Sequence, residues 1–379
     1  MHSMRNKFLY FFLACSLLLT GCWDQVQLNQ TKLIKAGGFD YTKKGKVRTI
    51  AAIPQVQPGS REEGKEISQV FEATGNTARQ SRHNLDRRIA ERVDASKNLI
   101  IVLGKEAAKK DIYSILDVFY RDPKSALNAK LAVSSKKASD VVSMKFQEPN
   151  IATGNLGEYL YDLIASAEDA SHVPEVSIQT ICPVMFDPGQ DFALPYFEPL
   201  EKELNVSGVA LFHNHVFAGT IKGPKSILFN LLNATQSSKS ISTTRKLPNA
   251  KGDGPAKSVT LIVKKAKRKL KVSVKPDNSV SAKIDLNLTI SIGEFPSKHT
   301  TDKKGLKLVE SQLNEVLTKE AGEIIKTLQG FNSDTFGIGR QLIAFHNDTW
   351  QAIDKKNYFK KVDFNTNVTV KIMNFGIIE

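Results

Sequence analysis

Few residues in this chain stand at spacings that do chemistry, and most of those that do fall short of a complete site. His213 and His215 flank Asn214, and on one strand they point to the same side, which is half of a metal site. A zinc centre needs at least three protein ligands. No carboxylate or third histidine is near in sequence, so the two rings are expected to flank a hairpin turn. Gly59-Ser60-Arg61-Glu62-Glu63-Gly64-Lys65-Glu66 approaches a phosphate-binding loop. It places Glu66 where the magnesium-binding hydroxyl must be, turns Glu62 and Glu63 toward the phosphates, and follows Pro58 instead of a buried strand. There is no G-x-S-x-G, no H-E-x-x-H and no Cys/His pairing. The chain therefore reads as a non-enzyme without metal or cofactor.

Two further features involve charge and sulfur. Lys257 to Lys275 carries eight basic residues and no acid, within a chain whose formal net charge is +14. Nucleic acid is a poor partner for this run, which has no aromatic side chain on which bases would stack. Anionic lipid headgroups suit it; the plain alternative is a solvated sheet edge whose lysines discourage strand pairing. Of the three cysteines, Cys182 ends an alternating run in which Val176, Ile178 and Thr180 share its face, and it reads as a small buried residue.

Cys22 is different. Arg5 and Lys7 form a positive n-region, and Phe8 to Leu19 is twelve apolar or small residues. As a helix that run spans ~18 Å, too short for a hydrocarbon core of ~30 Å but right for a signal-peptide core. Leu19-Thr20-Gly21-Cys22 follows, and looks like the lipobox of bacterial lipoproteins. The resemblance implies removal of residues 1–21 and a diacylglyceryl thioether on Cys22, which then begins the mature chain. Two acyl chains meet the requirement for stable anchoring in a lipid bilayer.

These residues need a scaffold. With 379 residues, 41% hydrophobic and 24% charged, the composition is that of folded globular protein. It excludes disordered, collagen-like and coiled-coil chains, and the length suits two or three domains of ~150 residues. Leu33–Tyr41 and Lys46–Ile53 read as strands, Pro54–Glu66 as a loop, and Thr77–Asp94 as helix-compatible. Asn98–Leu103 is an apolar, β-branched run typical of a strand buried on both faces. Asp111–Tyr120 is helical, ending before Asp122-Pro123, and Leu127–Ser134 is another strand. The Pro-rich stretch 150–200 is the expected junction.

Beyond it, 208–220 reads as a hairpin and Val259–Lys275 as one or two strands. Val280–Ile292 alternates without a break, which means a long strand with one wet face. An amphipathic helix is expected over 302–328 with Gly330 as its C′ residue, then a final period-two strand over 362–372. The expected fold class is α+β, with mixed or antiparallel sheets and packed helices. The expected divisions are a signal peptide at 1–21, an N-terminal α+β domain at 22–134, a middle domain and junction at 135–203, and a C-terminal α+β domain at 204–379.

Four local patterns, in order along the chain, resemble the Ger(x)C family, the C-subunit lipoproteins of bacterial spore germinant receptors. They are Gly21-Cys22-Trp23-Asp24 with Leu28-Asn29; the strand Leu99–Leu103 running into Gly104-Lys105-Glu106-Ala107; Asp117–Pro123, with its F-x-R-D-P helix end; and Asp334-Thr335-Phe336-Gly337-Ile338-Gly339 followed by Trp350 and a strand ending at Gly376-Ile377-Ile378. Departures are Lys97-Asn98, where a histidine is common, and Phe345-His346 in place of a proline-containing turn. The resemblance implies three α+β domains, anchoring on the outer face of the inner spore membrane, and assembly with two polytopic membrane subunits. Together such subunits answer germinants such as amino acids or sugars. Only Cys22 carries a role by motif. The competing readings are a solute-binding lipoprotein of an importer and an exported hydrolase.

Overall fold

A computed structural model describes residues 31–56, 66–144, 155–201, 203–237, 239, 241–248, 253–296 and 303–374. The first elements are β1 (Thr31–Leu33), β2 (Ala36–Tyr41), β3 (Val47–Val56), β4 (Glu66–Gly75), α1 (Ala78–Asp86), β5 (Arg92–Asp94) and β6 (Ile100–Leu103). There follow α2 (Lys105–Ala108), α3 (Tyr113–Arg121), β7 (Lys130–Ser134), α4 (Ala138–Val142), α5 (Leu156–Asp169), α6 (Ile178–Met185) and β8 (Ala193–Pro199). β9 (Leu204–His213) and β10 (Val216–Lys222) complete an eight-stranded sheet in the order β10-β9-β8-β7-β6-β2-β3-β4.

The centre of that sheet follows from the Ile100–Leu103 run. All four residues are buried because β6 pairs in parallel with β2 on one side and β7 on the other. Successive side chains of a strand enter opposite faces. Ile101 and Leu103 meet Ile115, Leu116 and Phe119 of α3 and Ile178 and Ile181 of α6. Ile100 and Val102 meet Val141 and Val142 of α4 and Leu160 and Ile164 of α5. Outside the parallel core β2-β6-β7-β8, the flanking pairs β2–β3, β3–β4, β8–β9 and β9–β10 are antiparallel.

The second sheet contains β11 (Ile241–Lys246), β12 (Ser258–Val274), β13 (Val280–Glu294) and β14 (Asp363–Asn374) in that order. One face is covered by α7 (Pro224–Asn233) and α8 (Lys303–Phe331); the shorter helices α9 (Ile338–Phe345) and α10 (Asn347–Ala352) precede β14. Val209, Leu211 and Ile221 of the first sheet enter the same core as Leu313, Leu317, Ile324 and Leu328 of α8 and the inward residues of β13. The two sheets thus share one apolar layer.

The mixed α+β class agrees with the sequence reading, and several local assignments need correction. β13 and β14 pair in parallel, a pairing the strand periodicity leaves open, because α8 carries the chain back to the end where β13 began. The helix passes through Gly330 to Phe331, and Asn332, at φ 55°, is its C′ residue. Ser333 N–H donates to Leu328 O (2.9 Å) and Asn332 N–H to Gln329 O (3.1 Å), the paired bonds that satisfy a helix end. The run at 176–182, read as extended, is helix α6. Ser177 Oγ accepts Thr180 N–H (3.2 Å) while Thr180 Oγ1 accepts Ser177 N–H (2.8 Å), a reciprocal cap that outweighs the alternation.

The helix at 77–94 stops at Asp86, and Val93 reaches the small core around Leu85 and Ile53 from β5 instead. The loop read over 54–66 lies partly outside the described residues; β3 extends to Val56 and β4 begins at Glu66. The Pro-rich stretch expected as a junction supplies α5, α6 and β8. The divisions after 134 and 203 fall between neighbouring elements of a single sheet.

One device has no counterpart in the sequence reading. Glu310, Asn314 and Thr318, at spacing four on α8, accept the N–H groups of Ile372 (2.7 Å), Val370 (2.7 Å) and Val368 (3.0 Å) on β14. A sheet edge normally leaves such donors to water or to another chain; here a helix satisfies them. Asn314→Ala leaves the Val370 amide without its acceptor and is expected to cost about 1–2 kcal/mol by chemical denaturation. The exposed neighbour Glu315→Ala should stay within about 0.5 kcal/mol of the parent.

Candidate functional site

The structure brings chemically capable residues together mainly where the two sheets meet. β9 ends at His213, Asn214 adopts φ 52°, and β10 starts at Val216, so the expected hairpin turn is present. Each histidine faces a carboxylate far away in sequence. His213 Nδ1 lies 3.2 Å from Asp191 Oδ2, and His215 Nδ1 lies 3.1 Å from Asp111 Oδ1. The remaining ring nitrogens are also engaged: His213 Nε2 accepts from Asn332 Nδ2 (3.1 Å), and His215 Nε2 donates to Met185 O (2.8 Å). The rings do not converge, and no group of three or more metal-binding side chains occurs among the described residues. Their task is to hold the turn.

Asp191 leads into a buried seam. Its carboxylate accepts Asn214 N–H (2.6 Å) and Asp334 N–H (2.8 Å), and its own N–H donates to Asp334 O (2.9 Å). Asp334 is 2% exposed. Its side chain accepts Ile338 N–H (3.0 Å), Gly339 N–H (2.8 Å) and the Tyr358 hydroxyl (2.6 Å). Burial pushes this carboxyl up to about 6, despite three donors that pull the other way. Burial, and then Asp334 itself, raise Tyr358 well above the ordinary phenol range.

The glycines of this motif have specific jobs. Gly337 sits at φ 73°, a left-handed conformation that opens α9. A Cβ on Gly339 would lie 2.5 Å from the Tyr358 hydroxyl and 2.7 Å from Gly189 Cα. That close approach lets Arg340 N–H donate to Gly189 O (2.9 Å). Arg340 also pairs with Asp187 (2.9 Å), and Arg268 of β12 stands over the Phe336 ring at 5.5 Å. The cavity within the seam is about 40 Å³, room for about one water. Asp334 has neither the space nor a free partner for work on a substrate.

A second polar cluster lies at the start of β7. Lys130 pairs with Glu168 of α5 at 2.7 Å, both about nine-tenths buried, beside a pocket of about 480 Å³ that Tyr161, Glu175 and Gln236 help to line. Burial raises the Glu168 carboxyl, and the Lys130 ammonium pulls it back. Glu168 Oε1 faces no hydrogen-bond donor.

Among the residues singled out from sequence, Cys22 and the Gly59–Lys65 run lie outside the described residues. Cys182 is a free, partly exposed cysteine on α6. The basic run occupies β12. Asp191, Asp334 and Tyr358 were missed as a group, although the quoted motif contains Asp334. Their contacts join residues 143 and 24 positions apart, where local periodicity carries no signal.

Each half of the molecule matches a known domain. Residues 24–199 match the spore germination protein N-terminal domain, and residues 207–376 match the spore germination B3/GerAC-like C-terminal domain. The spore germination protein GerQC of Bacillus cereus is 22% identical over 97% of this chain and 98% of its own length. The spore germination protein KC of Bacillus subtilis (strain 168) is 20% identical over 95% of this chain and 93% of its own. In fold, the crystal structure of the GerBC protein matches with a TM-score of 0.58 at 15% identity, over 93% of this chain and all of that one. The class is therefore that of spore germination proteins with this pair of domains. Within it, the chain belongs to the Ger(x)C family.

The seam generates two predictions. The native Asp334 carboxyl is raised from 3.8 to about 6, so this group favours folding fully below pH 3.8 and that contribution is lost as pH rises through 6. The difference is about 3 kcal/mol; Asp334→Asn should flatten stability against pH in this window, read by denaturant titration at several pH values. Gly339→Ala should cost about 1–3 kcal/mol through overpacking, measured as a lowered melting temperature.

Proposed function

We propose that this chain is the membrane-anchored lipoprotein subunit of a spore germinant receptor. It acts by assembling with two polytopic membrane subunits and supports nutrient-triggered germination without catalysing a reaction itself. Its place is the outer face of the inner spore membrane, held there by a diacylglyceryl group on Cys22. The observation that carries the reading is the lipobox Leu19–Cys22 directly ahead of a body that corresponds over nearly its whole length to spore germination proteins.

Among the described residues no helix is long and apolar enough to cross a membrane; the anchor in this proposal is the acylated sulfur of Cys22. The enclosed Asp334 seam fits a body whose work is to present a fixed shape to its neighbours.

A solute-binding lipoprotein of an importer is the second reading, and the parallel core β2-β6-β7-β8 is the observation in its favour. Correspondence with spore germination proteins along both halves weighs against it. Tight calorimetric binding of amino acids or sugars by the chain alone would favour the importer reading.

The direct test is Cys22→Ala in spores that carry one receptor. The variant should disappear from the inner-membrane fraction, fail to co-purify with the integral subunits, and blunt the germinant response. An unchanged response, or an unmodified thiol by mass spectrometry of the native protein, would sink the proposal.

A further inference from the structure

The basic run of β12 is more than a protected edge. β11 covers only Ser258–Val263, and beyond it β12 continues as the edge of a three-stranded stretch, paired with β13, which pairs in turn with β14. Val263 and Lys265 bracket a bulge, after which Lys265, Lys267, Lys269 and Lys271 fall on the face opposite to α8. The register carries that face across the sheet. Lys271 lies opposite Lys283 of β13, and Lys265 opposite Thr289, which lies opposite Lys371 of β14. All six of these lysines are exposed.

Edge protection accounts for the lysines on β12 and for Lys371 on the other edge, β14; it does not account for Lys283 on an interior strand. Nor does stability. Lys271 and Lys283 set like charges directly opposite one another, which weakens a strand pair. Carboxylates on this face are few: Asp285 stands opposite Lys269 and pairs with Lys283 at 3.3 Å, Asp363 pairs with Lys275 at 3.6 Å, and Glu294 stands at the far end opposite Thr260. The remaining outward residues include Asn287, Thr289, Asn365, Asn367 and Thr369, with no aromatic side chain among those in the strand register.

We infer that this lysine face lies against the anionic headgroups of the bilayer. Protein interfaces are enriched in aromatic residues and arginine and depleted in lysine; this face has the opposite composition. A sheet that presents ammonium groups every ~6.6 Å along a strand suits a surface of mobile phosphates, which needs no fixed bidentate geometry. Chain length fits as well. Cys22 and Thr31 are nine residues apart, so the connection spans at most about 30 Å and keeps the body within reach of the membrane. The inference deepens the anchoring proposal by naming the face that turns to the lipid.

The test uses the full acylated chain in vesicles of phosphatidylcholine, and of phosphatidylcholine with phosphatidylglycerol. Lysine acetylation rates are read by mass spectrometry. Lys265, Lys267, Lys269 and Lys271 should react at least tenfold more slowly on the anionic vesicles, at about fivefold in contact affinity per lysine. High salt should remove the protection. Lys43 and Lys44, exposed at the β2–β3 turn, should react alike on both vesicles.

Equal rates on both vesicles overturn the inference. So does protection that appears on neutral vesicles only after the integral subunits are added, which would assign the face to an acidic protein. Failure of the chain to float with neutral vesicles would count against Cys22 anchoring alone, since the comparison between lipids stands without it. A variant with K265Q, K267Q, K269Q and K271Q should keep its melting temperature and lose the phosphatidylglycerol-dependent protection at Lys283 and Lys371. Persistence of that protection would also overturn the inference.

Discussion

A carboxylate removed from water must be met by donors, and the way Asp334 is met fixes how the two halves of the molecule join. Its three side-chain partners come from the turn that opens α9 and from Tyr358, while its main chain pairs with Asp191 just before β8. Leaving any of these unmatched in an environment this dry costs more than a surface hydrogen bond returns. Glycine at 339, Gly189 beside it and the left-handed Gly337 are consequences of packing backbone against backbone around that group. The shared apolar layer under α8 supplies the bulk of the contact between the sheets; the Asp334 seam supplies its register.

The same constraint explains how the polar residues that attract notice in the sequence are used in the fold. His213 and His215 look like half a metal site only while their partners are unseen. Once Asp191, Asn332, Asp111 and the Met185 carbonyl are in place, both rings are fully engaged in holding a turn.

Much of the fold was legible because periodicity reports burial. Ile100–Leu103, Val280–Ile292 and the stripe of α8 each announce how many of their faces are covered. Periodicity does not report partners, and the errors follow from that. It gave β14 without its parallel pairing, and it took Val176–Cys182 as extended because a reciprocal Ser177–Thr180 cap carries no periodic signal. The spacing of Glu310, Asn314 and Thr318 was visible, but only the position of β14 gives it meaning. The seam could be read only as a motif, since Asp191 and Tyr358 reach Asp334 from remote parts of the chain. The role of Cys22 rests on its flanking residues alone and stays a proposal.

The row of side chains from α8 onto β14 has a mechanical consequence. A helix held to a sheet by apolar contact alone can slide or roll at modest cost, whereas sliding here would break three directional bonds together. One end of α8 passes directly into Asn332 and the Asp334 seam. Twenty-nine residues of helix then behave as a strut about 44 Å long, and a push at Lys303 arrives at the joint between the sheets instead of being absorbed along the way.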